Sequence, residues 1–217
     1  KPDGTLILPG RFIPLFEKNS AVTALDEAMF DNVLRQQLAW REQGMPLLPI
    51  SVNLSRAHLG QTSFIRACAK KMEDAGLPVS CIQFELTESA AMDRQQMSET
   101  LRELHVCGFT VLLDDYGTGY SSLQALEQLY FDVMKLDKSF VDEIGTLRGE
   151  AVLHSTIALA QALGMKTVAE GVETREQLEH IRDIGCDYVQ GYFFAKPMPS
   201  AEFEKYLTEE PSRAIMG

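Results

Sequence analysis

Two rhythms of apolar residues alternate along the chain. From Phe12 to Gln43, with a break near Asn19-Ser20, Val22, Leu25, Met29, Val33 and Leu34 recur at helical spacing. The run from Leu47 to Ser55 follows a turn and reads as a buried strand. Beyond it, the pattern predicts strands at 82–87, 109–113, 133–136, 167–169 and 188–190. Helices are predicted at 63–75, 94–107, 121–128, 150–163, 175–184 and 200–207. Gly76, Gly108, Gly164 and Gly185 stand where four of these helices end, as left-handed C-caps require.

Short apolar strands alternating with helices define βα units and a parallel sheet. The expected fold is α/β, a TIM-like (β/α)8 barrel whose N-terminal strand pair is missing from the chain, since six strands are visible. A doubly wound open sheet is the rival. It is weakened by the absence of a GxGxxG or GxxxxGK[ST] loop after any strand. With 217 residues, positions 1–217 are expected to form a single domain. The chain opens at Lys1 without an initiator Met, in a Gly/Pro loop, and is expected to be a fragment of a longer protein. A barrel lacking two strands has unpaired edges, so the chain is expected to be poorly stable alone or to pair across copies.

Composition narrows the functional classes. Hydrophobic residues make up 45% and charged residues 24%, as in a folded globular domain. A net charge of -11 opposes duplex nucleic acid as a partner, and the acidic balance also serves solubility. Cys68, Cys81, Cys107 and Cys186 form no CxxC pair and no zinc-like spacing with histidine, and are expected to be free, mostly buried thiols in a reducing, cytoplasmic setting. No apolar run approaches the roughly 20 residues that cross a bilayer, so no direct membrane insertion by this domain is expected.

Chemistry in a barrel gathers where strands end and βα loops begin. The predicted strands deliver Asn53, then Glu85 with Glu88 beyond it, Asp114 and Asp115, Lys135 and Asp137, Glu170 with Glu173 beyond it, and Gln190. Each has an ordinary reading by itself. Asn and Gln bond loops, Glu and Asp cap helices, Asp114-Asp115 can make a turn before Gly117, and Lys135 can pair with one acid. Together they place several carboxylates on one rim, where mutual repulsion calls for a cation. Oxygen donors of this kind suit Mg²⁺ or Mn²⁺, and adjacent aspartates can serve two ions in phosphoester cleavage. His58, His105, His154 and His180 fall in loops or helices away from this rim and are expected at the surface. The residues alone thus point to metal-assisted hydrolysis.

The same residues carry a resemblance. Ser51-Val-Asn-Leu-Ser55, Glu85-Leu-Thr-Glu-Ser89, Asp114-Asp-Tyr-Gly-Thr-Gly-Tyr-Ser-Ser-Leu123, Lys135-Leu-Asp137, Ala169-Glu-Gly-Val-Glu-Thr174 and Gln190-Gly-Tyr192 resemble, in order and spacing, the successive motifs of EAL domains. The resemblance runs from Phe12-Ile-Pro14 to Lys196-Pro197. It implies a bacterial signalling phosphodiesterase that opens cyclic di-GMP to linear pGpG with Mg²⁺ or Mn²⁺, two ions in all, and that acts as a homodimer. The parent would be a multidomain signalling protein, with any membrane anchor lying outside this chain.

By the same resemblance, Asn53, Glu85 and Asp114 would bind one metal, and Asp114 and Asp115 would serve the second. Lys135 would hydrogen-bond the attacking water or stabilise charge. Glu170 would be a general base or a ligand near the second metal. Gln190 would position the water or a ligand, with Asp137 supporting the site, while Glu88 and Glu173 would hold the neighbouring loops. Tyr116, Gly117, Thr118 and Gly119 lie in the loop that would link the metal site to a dimer interface; a plain tight turn is the other reading. Tyr116 replaces the commoner Phe, and no Glu-Ala-Leu occurs in the chain. That motif is expected just before Lys1. The alternative to an enzyme is a non-catalytic module that binds cyclic di-GMP or a protein partner. A phosphosugar isomerase or aldolase barrel would need a Gly-rich phosphate loop near its last strands, and Gln190-Gly-Tyr-Phe-Phe is too aromatic for that.

Overall fold

The computed structural model describes residues 7, 9–18, 21–118 and 123–209. By its internal contacts the chain divides into two compact units. One takes in the residues up to 86 together with 90–112 and 124–130; the other takes in 87–89, 113–123 and everything from 131 onward.

The first unit begins with α1 (Pro9–Lys18) and α2 (Ala21–Glu42), followed by β1 (Ile50–Asn53) and α3 (Thr62–Ala75). It continues through β2 (Ile82–Thr87), α4 (Arg94–Val106) and the first half of β3 (Thr110–Tyr116), and includes most of α5 (Leu123–Gln128). Strand order in this unit follows the chain, β1-β2-β3, and β1 and β2 are parallel with Asn53 opposite Glu85. β1 starts later than the apolar run from Leu47 predicts. Pro46 and Pro49 have no amide hydrogen to give a ladder, so pairing begins at Ile50.

The buried stripe of α2 is Val22, Asp26, Phe30, Val33, Gln37 and Trp40, spaced by three or four residues so that one face meets the sheet. Phe30 stacks on Phe84 of β2, whose ring meets Phe109 edge-on at 5.0 Å. Burying each such ring contributes roughly 2–3 kcal/mol. Gln37 is wholly buried and tolerated there because its side-chain amide donates to the carbonyls of Leu48 and Cys81.

The second unit holds the end of β3, then β4 (Val133–Leu136), α6 (Lys138–Asp142), α7 (Leu147–Ala162), β5 (Lys166–Glu170), α8 (Arg175–Asp183), β6 (Tyr188–Gln190) and α9 (Ser200–Glu209). Its strand order is β3-β4-β5-β6, with β4, β5 and β6 parallel. Every residue of β4 is buried, as a strand covered on both faces must be, and Phe131, Leu153, Ile157 and Ala169 of this unit are buried as well. The five-residue α6 was not legible in the pattern. Asp137 creates it by capping: its carboxylate accepts the amide of Ser139 at 3.0 Å. α7 begins three residues before the predicted start, at a Thr146 cap whose hydroxyl accepts the amide of Gly149.

Gly191 follows β6 because the chain passes close to its neighbour there. A Cβ at 191 would lie 2.0 Å from the carbonyl oxygen of Val172. The cysteines are all free, Cys68 and Cys81 buried and the other two half-buried. Burial pushes the Cys68 thiol up to about 12. Among the described residues no helix is long and apolar enough to cross a membrane.

Candidate active site

In the first unit, β1 ends at Asn53, which lies opposite Glu85 of β2. Asn53 is exposed and Glu85 half-buried, and the amide of Leu54 donates to the carbonyl of Glu85 at 2.9 Å, carrying the ladder one residue past Asn53.

The second unit brings together Asp114, Asp115, Lys135 and Glu170. β3 runs on through Tyr116, three residues beyond the predicted end at Leu113, so both aspartates are strand residues. Neighbours in a regular strand point to opposite faces. Yet Asp114, Asp115 and Glu170 each present a carboxylate oxygen, and these oxygens lie within 4.8 Å of one another. Asp115 has φ 55, in the left-handed region, and this breaks the alternation. Asp is among the few residue types that tolerate that conformation, at a cost of about 1–2 kcal/mol.

Lys135 stands in the middle of the buried β4. Its Nζ lies 2.7 Å from Oδ1 of Asp114 and 2.8 Å from Oε1 of Glu170. One ammonium faces three carboxylates, and the imbalance shows at Asp115. Its carboxyl is pushed up by burial first, then by the charges of Asp114 and Asp137, and Lys135 only partly offsets this. A hard divalent cation fits such a group: the donors are all carboxylate oxygens, they converge, and Lys135 brings them only one positive charge.

Around this cluster the backbone is tied down. Glu88 is buried, and its carboxylate accepts the amide of Gly117 at 2.9 Å. Gly117 has φ 104, and a Cβ there would lie 2.2 Å from the ring of Phe140. Tyr116 stacks on that same ring, and its phenol is pushed up by burial and then by the Glu88 charge. Thr118 turns back on Asp115, its hydroxyl donating to the Asp115 carbonyl at 2.9 Å. Gly119 lies outside the described residues. Asp137, the cap of α6, sits below its ordinary range: burial pushes it up, but hydrogen bonds from Ser139 and the Lys138 amide outweigh that.

Glu170 and Gln190 are opposite one another in the β5–β6 register. They open onto a cavity of about 620 Å³ that is also lined by Lys138, Tyr192, Lys196 and Phe203. Glu173 is exposed and paired with Lys138.

Two features were missed by the sequence. Lys138 lacked any signal, since nothing in Lys135-Leu-Asp-Lys138 tells a groove lysine from a surface one. His58, expected at the surface, is buried at 2% exposure, because the turn after β1 folds its ring onto Phe64 with centroids 3.9 Å apart.

Parallel βα units with a converging carboxylate–lysine cluster at the strand ends define an α/β protein of the TIM-like class with a candidate metal site. Residues 1–197 match the EAL domain, and the chain belongs to the EAL domain family. It is 37% identical over 208 residues to the cyclic di-GMP phosphodiesterase NbdA of Pseudomonas aeruginosa, covering 95% of this chain and 27% of that protein. It is 35% identical over 202 residues to the cyclic di-GMP phosphodiesterase RocR of the same organism, covering 92% of this chain and 51% of that one. Among solved structures, the PaMucR phosphodiesterase in complex with c-di-GMP aligns with TM-score 0.85 and 34% identity, over 94% of this chain and 83% of that one. The fold is therefore the TIM-like α/β fold of EAL domains, as the alternation of elements predicts. The chain spans between 27% and 51% of the length of these two curated relatives.

Proposed function

We propose that the chain is the hydrolytic domain of a cyclic di-GMP phosphodiesterase, opening the cyclic dinucleotide to linear pGpG with Mg²⁺ or Mn²⁺. The observation that carries this reading is the bridge of Lys135 between Asp114 and Glu170, with the Asp115 carboxylate converging on the same point. Names of relatives agree with it: NbdA, RocR and the PaMucR structure are phosphodiesterases for this dinucleotide.

Asp114, Asp115 and Glu170 are the residues of the second unit that would hold the metal, two ions in the full reading. Asn53 and Glu85 enter as ligands by their motif positions. When bound, such ions lower the pKa of a coordinated water and stabilise charge on the phosphoryl oxygens. Glu170 accepts the proton of the attacking water, as a general base held in place by its hydrogen bond to Lys135. Lys135 keeps its ammonium where negative charge grows during attack on phosphorus. Gln190 orients the water or the substrate from the rim of the 620 Å³ cavity, which is of the size that takes a nucleotide-like ligand.

Glu88 and Glu173 hold the adjoining loops through Gly117 and Lys138. Tyr116, Gly117, Thr118 and Gly119 form the segment through which a second copy of the chain would influence the site. The reading extends to a single catalytic domain acting as a homodimer in the cytoplasm, within a longer signalling protein.

The test is conversion of cyclic di-GMP to pGpG by the purified chain with Mg²⁺ or Mn²⁺, followed by chromatography. Metal-dependent product formation is expected. Tight binding of the dinucleotide without product would replace the enzyme with a sensor module, the alternative held open by the sequence.

A further inference from the structure

The first unit contains a buried acid–imidazole pair that the proposed chemistry does not use. Asp26, on α2, is 8% exposed, and its Oδ2 accepts the backbone amide of Ser55 at 3.0 Å. Ser55 follows Asn53 by two residues, at the point where the chain leaves β1. The chain then makes a tight turn at Arg56–His58, with the His58 amide donating to the Ser55 carbonyl at 3.0 Å. That turn returns the imidazole to the same carboxylate: Nε2 of His58 lies 3.5 Å from Oδ2 of Asp26, an electrostatic contact without a hydrogen bond. The ring itself stacks on Phe64 of α3.

Burying a carboxylate is costly unless it is paired and hydrogen-bonded. Burial indeed pushes Asp26 up from its ordinary range, against the opposing effect of Ser55 and His58. A helix face that only needed to pack against the sheet would carry an apolar residue at this position, as it does at Val22, Phe30 and Val33. What the carboxylate supplies is a directed bond to one backbone amide. That amide fixes the exit of β1 two residues past Asn53, and the Leu54–Glu85 ladder bond fixes it one residue past.

We propose that Asp26, braced by His58, is a positioning residue that sets the orientation of Asn53 as a metal ligand. The proposal rests on the reading of Asn53 as a ligand given above. Outer partners of this kind change metal affinity when removed, by about tenfold or more.

Calorimetric titration of the chain with Mn²⁺ tests it, together with the melting midpoint of each variant. Asp26→Ala is expected to weaken Mn²⁺ binding about tenfold. Asp26→Asn keeps an acceptor for the Ser55 amide and is expected to stay within about threefold of the parent chain. His58→Phe keeps the ring stack but loses Nε2, and is expected to weaken binding by about two- to threefold. Val33→Ala, two turns along the same helix, serves as a control that lowers stability without touching the bond.

Parental affinity in Asp26→Ala overturns the proposal. So does an equal loss of affinity in Val33→Ala at an equal fall in melting midpoint. If Asp26→Ala does not fold, parental affinity in His58→Phe overturns it. Asn53→Ala separates the two readings. If it binds Mn²⁺ as the parent does, the ligand reading fails and the proposal falls with it. If it binds weakly while the Asp26 and His58 variants do not, only the proposal fails.

Discussion

The carboxylate of Glu88 accepts a hydrogen bond from the backbone amide of Gly117 at 2.9 Å. These residues lie 29 positions apart, and the bond ties the start of the loop after β2 to the turn that follows Asp115. Glu88 is 3% exposed, so the bond is shielded from solvent. Glu88→Ala is expected to leave the chain folded but to free the Asp115–Thr118 turn. Turnover of cyclic di-GMP should fall about tenfold or more, since misplacement of a reacting group by about 1 Å has effects of that size. Steady-state assays over a range of Mn²⁺ concentrations check this; unchanged turnover would detach the loop from the chemistry.

Gly117 gives an independent handle on the same turn. Its φ of 104 is one that L side chains rarely adopt, and the added Cβ of Gly117→Ala would meet the Phe140 ring at 2.2 Å. Strain and overpacking together are expected to cost about 1–3 kcal/mol. Thermal denaturation should show a lower midpoint. The double variant Gly117→Ala, Phe140→Leu should recover part of the loss if the ring is the obstacle, and none of it if backbone strain alone is responsible.

Lys135 supplies the positive charge at the carboxylate cluster and is 6% exposed. Lys135→Met keeps the stem but leaves Asp114 and Glu170 facing Asp115 without an ammonium. Removing one partner from a buried ion pair costs about 3–5 kcal/mol. A divalent ion can replace the missing charge, so the variant's melting midpoint should rise more on addition of Mn²⁺ than the parent's does. Equal metal-induced shifts in both proteins would mean that the ion does not bind at these carboxylates.

Glu170→Gln separates binding from chemistry. The amide keeps the shape of the side chain and can still accept from Lys135, but it cannot take a proton. Turnover is expected to fall by about 10²–10⁴, the range for a lost general base, while dinucleotide binding persists. Binding lost in step with turnover would instead make Glu170 chiefly a holder of metal or substrate.

Much of this arrangement was legible in the sequence because strand ends are punctuated by residue type. The apolar run ending at Leu136, the Asp114-Asp115 pair and the Glu170 and Glu173 spacing each announced polar groups at a strand end. β2, β4 and β6 begin and end where the pattern places them. What stayed hidden depends on contacts between distant segments or on single dihedral angles. Strand alternation argues against convergence of Asp114 and Asp115, and only the left-handed φ of Asp115 allows it. His58 looked like a surface residue because its burial is decided by Phe64 and Asp26, six residues ahead in one case and 32 behind in the other. The lysine that holds Glu173 was likewise invisible, since its partner lies 35 residues away.

The clasp between β5 and β6 should make stability depend on pH in a defined direction. Asp187 accepts from Nζ of Lys166 at 2.6 Å and from the amide and hydroxyl of Thr167 at 2.9 and 3.1 Å. Burial pushes its carboxyl up, but these bonds outweigh burial, and the group sits below its ordinary range. The unfolded chain therefore holds the proton more tightly than the folded one. The stabilisation is complete above the ordinary carboxylate value of about 4 and is lost as pH falls below it toward the folded value. Lys166 is largely exposed and screened by solvent, so Asp187→Asn should cost about 1–2 kcal/mol at neutral pH. Melting midpoints of parent and variant should then converge as the pH is lowered from about 6 toward about 3, an interval that brackets the ordinary carboxylate value. A gap that stays constant over that interval would mean that Asp187 acts through its neutral hydrogen bonds and shape, with its charge contributing nothing to the clasp.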